Sequence, residues 1–345
     1  MVRTLEQAQL TELARGFSLL GSGGGGSTDL LELMIADAPL WPIDLYAPDD
    51  LDPDTPCLAA AYVGSTYLLT ERIPDLDPFV SLIAAAERWT GVRAEAVCSL
   101  EAAGMNGLTP LLLAADRRIV DADFMGRALP RVDQVSLFAD RVPGTVTVCS
   151  SGADGIVLVA TDRAADVEHV VRSAVVQAGG VGPLVIAGFT VGELREHAIL
   201  GNHSRALELG AAFEAAATAP LSELAVRLGG RMLGTGRVTG VEASPTDPHA
   251  STIEISDDRG EIFRIIGRSE FLAFMRNGVV EAATPEIIVT IDSISRDVLL
   301  VDGVTFSRHV AVIALPAPAW WMSTPERLRH VAPAAFGLDG LVPAA

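Results

Sequence analysis

GSGGGGS, residues 21–27, is the stretch on which the reading of the fold turns. Gly21, Gly23 and Gly26 spell G-x-G-x-x-G, the dinucleotide fingerprint, which needs a strand before it and a helix after it. The segment on its N-terminal side is LEQAQLTELARGFSLL, where Leu5, Leu10, Leu13, Phe17 and Leu20 recur at helical spacing. The segment on its C-terminal side, STDLLELMIADA, offers Ser27, Thr28 and Asp29 as N-caps to a second helical run. The loop therefore joins helix to helix, and the Rossmann context is missing. A flexible linker fails as well, since too little chain lies upstream to tether. Two readings remain: a glycine run that lets two helices pack closely, or a wall whose amides face a ligand at a helix N-terminus.

Beyond this loop the chain changes character near residue 220. Before it, strand-like runs (CLAAAYVG, AEAVCSL, RRIVDAD, TVTVCSS, GIVLVAT) alternate with helical ones (DPFVSLIAAAERWTG, TPLLLAAD, AADVEHVVRSAVVQAGG), as in a layered α/β domain. After it come short runs rich in Val, Ile and Thr (GRVTGVEA, STIEISDD, EIFRIIGR, EIIVTIDS, DVLLVDG, HVAVIALP), as in a β-barrel or sandwich. The expected organisation is an α/β domain over 1–220 and a mainly β domain over 221–345, with the apolar tail AAFGLDGLVP packing back on the first domain.

Composition excludes several function classes. The 345 residues carry a formal net charge of −19, with no basic run, which argues against nucleic acid and anionic membranes as partners. No lysine occurs anywhere, so pyridoxal-phosphate and other Schiff-base chemistry and the P-loop nucleotide site are both excluded. Cys57, Cys98 and Cys149 fit neither a disulfide framework nor a C-x-x-C zinc site. With no apolar leader and no run of about 18 apolar residues, a cytoplasmic location is expected. A mean hydropathy of +0.36 despite the charge predicts a homo-oligomer.

The densest chemistry lies in CSLEAAGMNGLTPLLLAADRRIVDADFMGRALPRVDQ. Glu101 follows a strand, Gly104 and Asn106 sit in the turn after it, and TPLLLAAD begins a helix with Thr109 as cap. The next strand ends in Asp121, Asp123 and Arg127. Strand ends of open α/β sheets converge on ligands, so two adjacent strands ending in carboxylates would point into one cleft. Plainer roles stand beside these: a helix-capping or turn role for one aspartate, Arg127 as a partner of Asp123, and Cys98 as a buried apolar residue. His197 and His203 straddle a helix break at a spacing that matches no zinc signature; with Asp123 they are the metal candidates, and a divalent ion such as zinc stays open. His169, His249, His309 and His330 read as solvated.

LLGSGGGGS, EAAGMNGLTPLLLAA, VDADFMGRALP, VVQAGGVGP and VAVIALPAPAWWMSTPERLRHVAPAAFGLDGLVP resemble, in this order, the S-methyl-thiohydantoin desulfurase family. The resemblance covers nearly the whole chain. It implies a two-domain fold and hydrolysis at a hydantoin-like five-membered ring with release of a thiol; links of the family to hydantoinase and oxoprolinase systems suggest cyclic amides as the wider substrate class. One departure is IIGRSEFLAF, which stands where an F-x-N-E-N type motif is expected and keeps Glu270 while losing the asparagines.

Displacing a thiol from an amidine-like carbon needs a water made nucleophilic by a base, and donors where charge develops. Glu101, Asp121 and Asp123 are the candidate catalytic residues. Gly23, Gly24, Gly25, Gly26, Asn106 and Arg127 are the candidates for holding a small-molecule substrate, and the site should lie in the largest cleft. Two other classes stand beside the hydrolase. One is a non-catalytic partner subunit of a hydantoinase- or oxoprolinase-type enzyme, docking through exposed Trp320 and Trp321; the other is a nucleotide-dependent enzyme that binds phosphate on the glycine loop.

Overall fold

The computed structural model describes residues 2–65, 68, 77–245, 247 and 250–341, so His249 and the end of the C-terminal tail lie outside the described residues. The first half is a layered α/β domain around a mixed eight-stranded sheet. Its strands are β1 (Arg3–Leu5), β2 (Ile43–Tyr46), β3 (Pro56–Gly64), β4 (Ala96–Ser99), β5 (Arg118–Val120), β7 (Val146–Gly152), β8 (Gly155–Val159) and β9 (Val181–Thr190), in the order β1-β2-β5-β4-β3-β9-β7-β8. β6 (Ala122–Asp123) leaves this sheet to pair with β10 (Ile199–Leu200). The second half is β-rich: β11 (Arg231–Ala243), β12 (Ala250–Ser256), β13 (Ile262–Arg268), β14 (Glu270–Arg276), β15 (Val279–Ala283), β16 (Ile287–Asp292), β17 (Val298–Leu299) and β18 (His309–Leu315) form one antiparallel sheet, ordered β15-β14-β13-β12-β11-β18-β16-β17.

CLAAAYVG is apolar without a break because β3 is covered on both faces. Leu58, Ala60 and Tyr62 join the core under the helix Leu10–Leu20, while Cys57, Ala59 and Ala61 join the core on the other face. Both cores cross the domain boundary. Ile287, Val289, Ile291, Ile313 and Leu315 of the second sheet pack into the first, and Leu272, Trp321, Val331 and Phe336 into the second.

The helix Leu10–Leu20 lies against the helix Asn202–Ala215 at a backbone separation only glycine permits. A Cβ on Gly16 would stand 1.7 Å from the Ala206 carbonyl oxygen, and one on Gly210 would stand 1.7 Å from that of Glu12. The loop between the first two helices is the seam of the molecule. Buried Ser22 holds φ at 49°; its hydroxyl hydrogen-bonds the Phe271 and Ile288 carbonyls and accepts from the Ile288 amide. The Phe271 amide donates to Ser22 O, and the Val301 amide to Gly23 O.

Two local expectations need correction. The helix after β4 begins at Gly104, so Gly104 and Asn106 lie inside it, and Thr109–Leu113 is a 3-10 turn whose Pro110 has no N–H to donate. Trp321, expected exposed beside Trp320, is fully buried, and its indole N–H donates to the Met125 carbonyl at 2.7 Å. Among the described residues, no helix is long and apolar enough to cross a membrane.

Candidate active site

β4 and β5 are adjacent and parallel, so the residues at their C-terminal ends emerge at the same edge. Glu101 is 6% exposed. Its Oε1 accepts from Asn106 Nδ2 at 3.4 Å, and its Oε2 from the Leu129 amide at 3.2 Å. Asn106 is itself clamped to the backbone of β3, donating to Tyr62 O and accepting from Tyr62 N. Burial pushes the Glu101 carboxyl up to about 8, against hydrogen bonds from Leu129 and Asn106 that favour the ion.

Asp123 is wholly buried, held by the amides of Met125 and Gly126 and by Asn202 Nδ2 at 2.7 Å. Burial raises its carboxyl above the usual range. Its charge reaches Glu101 and raises that carboxyl further.

Asp121 goes elsewhere. Its carboxylate accepts from the His203 amide at 2.7 Å and from the Ser204 amide and hydroxyl at 3.2 and 2.6 Å, closing the start of the helix Asn202–Ala215. Burial alone would raise it, yet the hydrogen bonds and charge of His203 and Ser204 prevail and hold it below the usual carboxylate value. This is the capping alternative. Donors that stabilise the ion also lower its basicity, so Asp121 is a weaker base than Glu101.

Arg127 is fully buried and does not bond Asp123. Its guanidinium donates to the carbonyls of Ala128, Glu286 and Phe271, so an arginine of the first domain is fastened to the backbone of the second. Burial lowers it to about 10, opposed by the charges of Glu270 and Glu101. Glu270 opens β14 and is 5% exposed. Its Oε2 is buried without a hydrogen-bond partner. Burial first, and then the charge of Glu101, hold its carboxyl well above its ordinary value.

The glycine loop closes over this group. A Cβ on Gly24 would fall 2.4 Å from Glu270 Cγ, one on Gly23 2.4 Å from the Phe271 ring, and one on Gly25 2.9 Å from the Ala103 carbonyl. Gly23, Gly25 and Gly26 all have positive φ. A loop pressed against Glu270 meets a carboxyl group rather than a basic side chain, which is poor company for phosphate. Glu101, Asn106, Asp123, Arg127 and the loop thus form one neighbourhood, and Glu270 belongs to it. In the sequence Glu270 stands out only as the surviving part of a motif; the signal that marks it is a charged residue at the head of the apolar run EFLAFMR.

The histidines do not gather. His197 Nδ1 lies 2.8 Å from Asp140 Oδ2, whereas buried His203 lies 3.6 Å from Asp121 Oδ1 and 3.5 Å from the Ser99 hydroxyl. Among the described residues, no set of three or more His, Cys, Asp or Glu side chains is arranged to hold a metal ion. Open clefts of about 540 and 420 Å³ lie beside Arg93, Arg117 and Arg118 and beside Trp89 and Phe189, and neither is lined by a residue of the group around Glu101.

Two family models cover the chain, the S-Me-THD-like N-terminal domain over residues 8–161 and the S-Me-THD-like C-terminal domain over residues 161–343. The chain belongs to the S-Me-THD-like family. The family boundary falls between β8 and β9, so the C-terminal family segment supplies an internal strand of the first sheet. A crystal structure of a protein from Chromobacterium violaceum has the same fold, with a TM-score of 0.81, 23% identity and coverage of 99% of either chain. Comparison with curated proteins returns no match.

Proposed function

We propose that the protein is a hydrolase of hydantoin-like five-membered rings that carry an S-alkyl substituent, and that it releases the substituent as a thiol. Membership of the S-Me-THD-like family supports the substrate class. The single observation that carries the mechanism is Glu101: a buried carboxyl, oriented by Asn106 and the Leu129 amide, which burial pushes up to about 8, into the range where a general base is effective.

In this reading a water attacks the ring carbon that bears sulfur and loses its proton to Glu101. The ring C=N accepts the electron pair and then re-forms as the C–S bond breaks. The departing sulfur takes up a proton, so ring and water become the cyclic amide and a thiol. Asn106 is committed to orienting Glu101, and Arg127, with three of its five N–H groups on carbonyls, keeps two for the ring oxygen or nitrogen where negative charge grows. The carboxyls are nearly sealed, which shields the reaction from bulk water.

The test is turnover of an S-methyl-thiohydantoin and of the plain hydantoin, with and without chelator and with and without ATP. Thiol release from the S-methyl compound without ATP supports the reading, and loss with chelator that zinc restores would add a metal to it. Hydrolysis confined to the plain ring, or dependent on ATP, would overturn it. Glu101→Gln should lower thiol release by ~10² or more. In the wild type, kcat/KM should rise with pH through about 8 as Glu101 ionises.

A further inference from the structure

Resting on that reading, we propose that Glu270 is the general acid of the same site: it hands its proton to the departing sulfur while Glu101 takes one from the attacking water. The charges whose fields reach Glu270 are the Glu101 carboxyl after β4, the Arg127 guanidinium after β6 and Arg172 of the helix Ala164–Gln177, and the glycine loop packs against it at Gly24. Arg172 is already engaged, with Nη2 2.6 Å from Glu168 Oε1 and hydrogen-bonded to the Pro130 carbonyl. Three Arg127 N–H groups go to carbonyls and none to Glu270. Neither cation therefore makes a hydrogen-bonded ion pair with Glu270, and Oε2 has no partner at all.

A buried carboxylate in that position would be costly, and a second charge on Glu101 beside the same arginine would make it worse. The neutral acid avoids both costs. It leaves an O–H with no acceptor in the protein, available to an atom of the substrate. Two carboxyls near one arginine, differing in environment, then divide the roles: the one clamped by Asn106 and the Leu129 amide ionises more readily and serves as base, and the one without donors keeps its proton and serves as acid.

The proton count closes over one turnover. Water gives one proton to Glu101, Glu270 gives one to the thiolate, and the carbon exchanges its bond to sulfur for one to oxygen. Exchange with solvent restores the pair, and no other reactant is needed.

The leaving group supplies the test. An alkyl thiolate is basic and needs the proton; an aryl thiolate is a far better leaving group and departs without it. Glu270→Gln in the full-length protein should lose ~10² or more in kcat/KM on the S-methyl substrate and less than about tenfold on an S-(4-nitrophenyl) analogue. Glu270→Asp, which keeps the acid, should recover part of the S-methyl activity. Glu101→Gln, by contrast, should lose both substrates alike. Equal losses on both substrates in Glu270→Gln, with an unchanged melting temperature, would overturn the role of Glu270 while leaving the hydrolase intact. Should Glu270→Gln fail to fold, equal activity of Glu270→Asp and wild type on the S-aryl substrate, with a deficit confined to the S-methyl one, supports the proposal; a uniform deficit overturns it. A wild type inactive on both substrates overturns the hydrolase reading and this proposal with it.

Discussion

Glu101 and Asp121 lie just beyond neighbouring strands and are both buried, yet their surroundings give them opposite electrostatics. Asp121 is stabilised as an ion by donors of His203 and Ser204, so its contribution to stability is present above the usual carboxylate value and is lost as pH falls through its lowered one. Asp121→Ala should cost ~1–3 kcal/mol at neutral pH by stranding buried donors, and its melting temperature should approach that of the wild type below about pH 4. Glu101 has the reverse sign. Its neutral form suits the fold, so the wild type should lose stability as pH rises from about 4.5 through about 8, and Glu101→Gln should melt with a flatter dependence over that range. Thermal melts across pH check both, and a Glu101→Gln curve parallel to the wild type would mean that burying the Glu101 ion costs nothing. The sequence exposes these residues because strand ends can be recognised from a run of apolar residues that stops at a charge. It cannot tell the cap from the base, since which carboxylate meets His203 and Ser204 depends on where a helix far along the chain arrives. Glu270 is hidden for the same reason: its neighbours Glu101 and Arg127 come from the other domain.

At the scale of elements, periodicity finds most strands and fails where a strand carries turn residues. VGPLVIAGFT holds two glycines and a proline, which read as punctuation, yet it forms β9 between β3 and β7. EFLAFMR and VVEAA, the strands β14 and β15, do not stand out in the pattern either, and β14 brings Glu270 to the junction. The helix pair is half legible: the helix Leu10–Leu20 shows in the pattern, but nothing local announces that it meets the helix Asn202–Ala215 through Gly16 and Gly210. Two effects compete at Gly210. Helix propensity alone favours alanine by about 1 kcal/mol, whereas a Cβ there would meet the Glu12 carbonyl of the opposite backbone at 1.7 Å. Overpacking against backbone costs ~1–3 kcal/mol and cannot be relieved by a rotamer change, so packing should win. Gly210→Ala is therefore expected to lower the melting temperature, and a rise would mean that the helices lie further apart than this.

On the scale of the molecule, the two family segments do not correspond to two separable bodies. The N-terminal segment ends at residue 161, yet β9 from the C-terminal segment pairs along β3 from Pro56 to Gly64 on one side and with β7 on the other. Removing it would strip the hydrogen-bond partner from one whole side of β3 and disconnect β7 and β8 from the remaining strands. It would also uncover the core residues Leu184, Val185, Ile186 and Phe189 contact, and two open strand edges would then face solvent. The second sheet would be absent as well, leaving Ser22 without Phe271 and Ile288, and Arg127 buried against nothing. A fragment of residues 1–161 should accordingly show no cooperative thermal transition by circular dichroism and should aggregate at micromolar concentration. Producing it together with residues 162–345 should restore a transition, because the missing strand is then supplied in trans. A sharp melt from 1–161 alone would show that β3 and β7 find another arrangement without β9, and the glycine seam would then be a hinge between independent units rather than the joint of a single folded body.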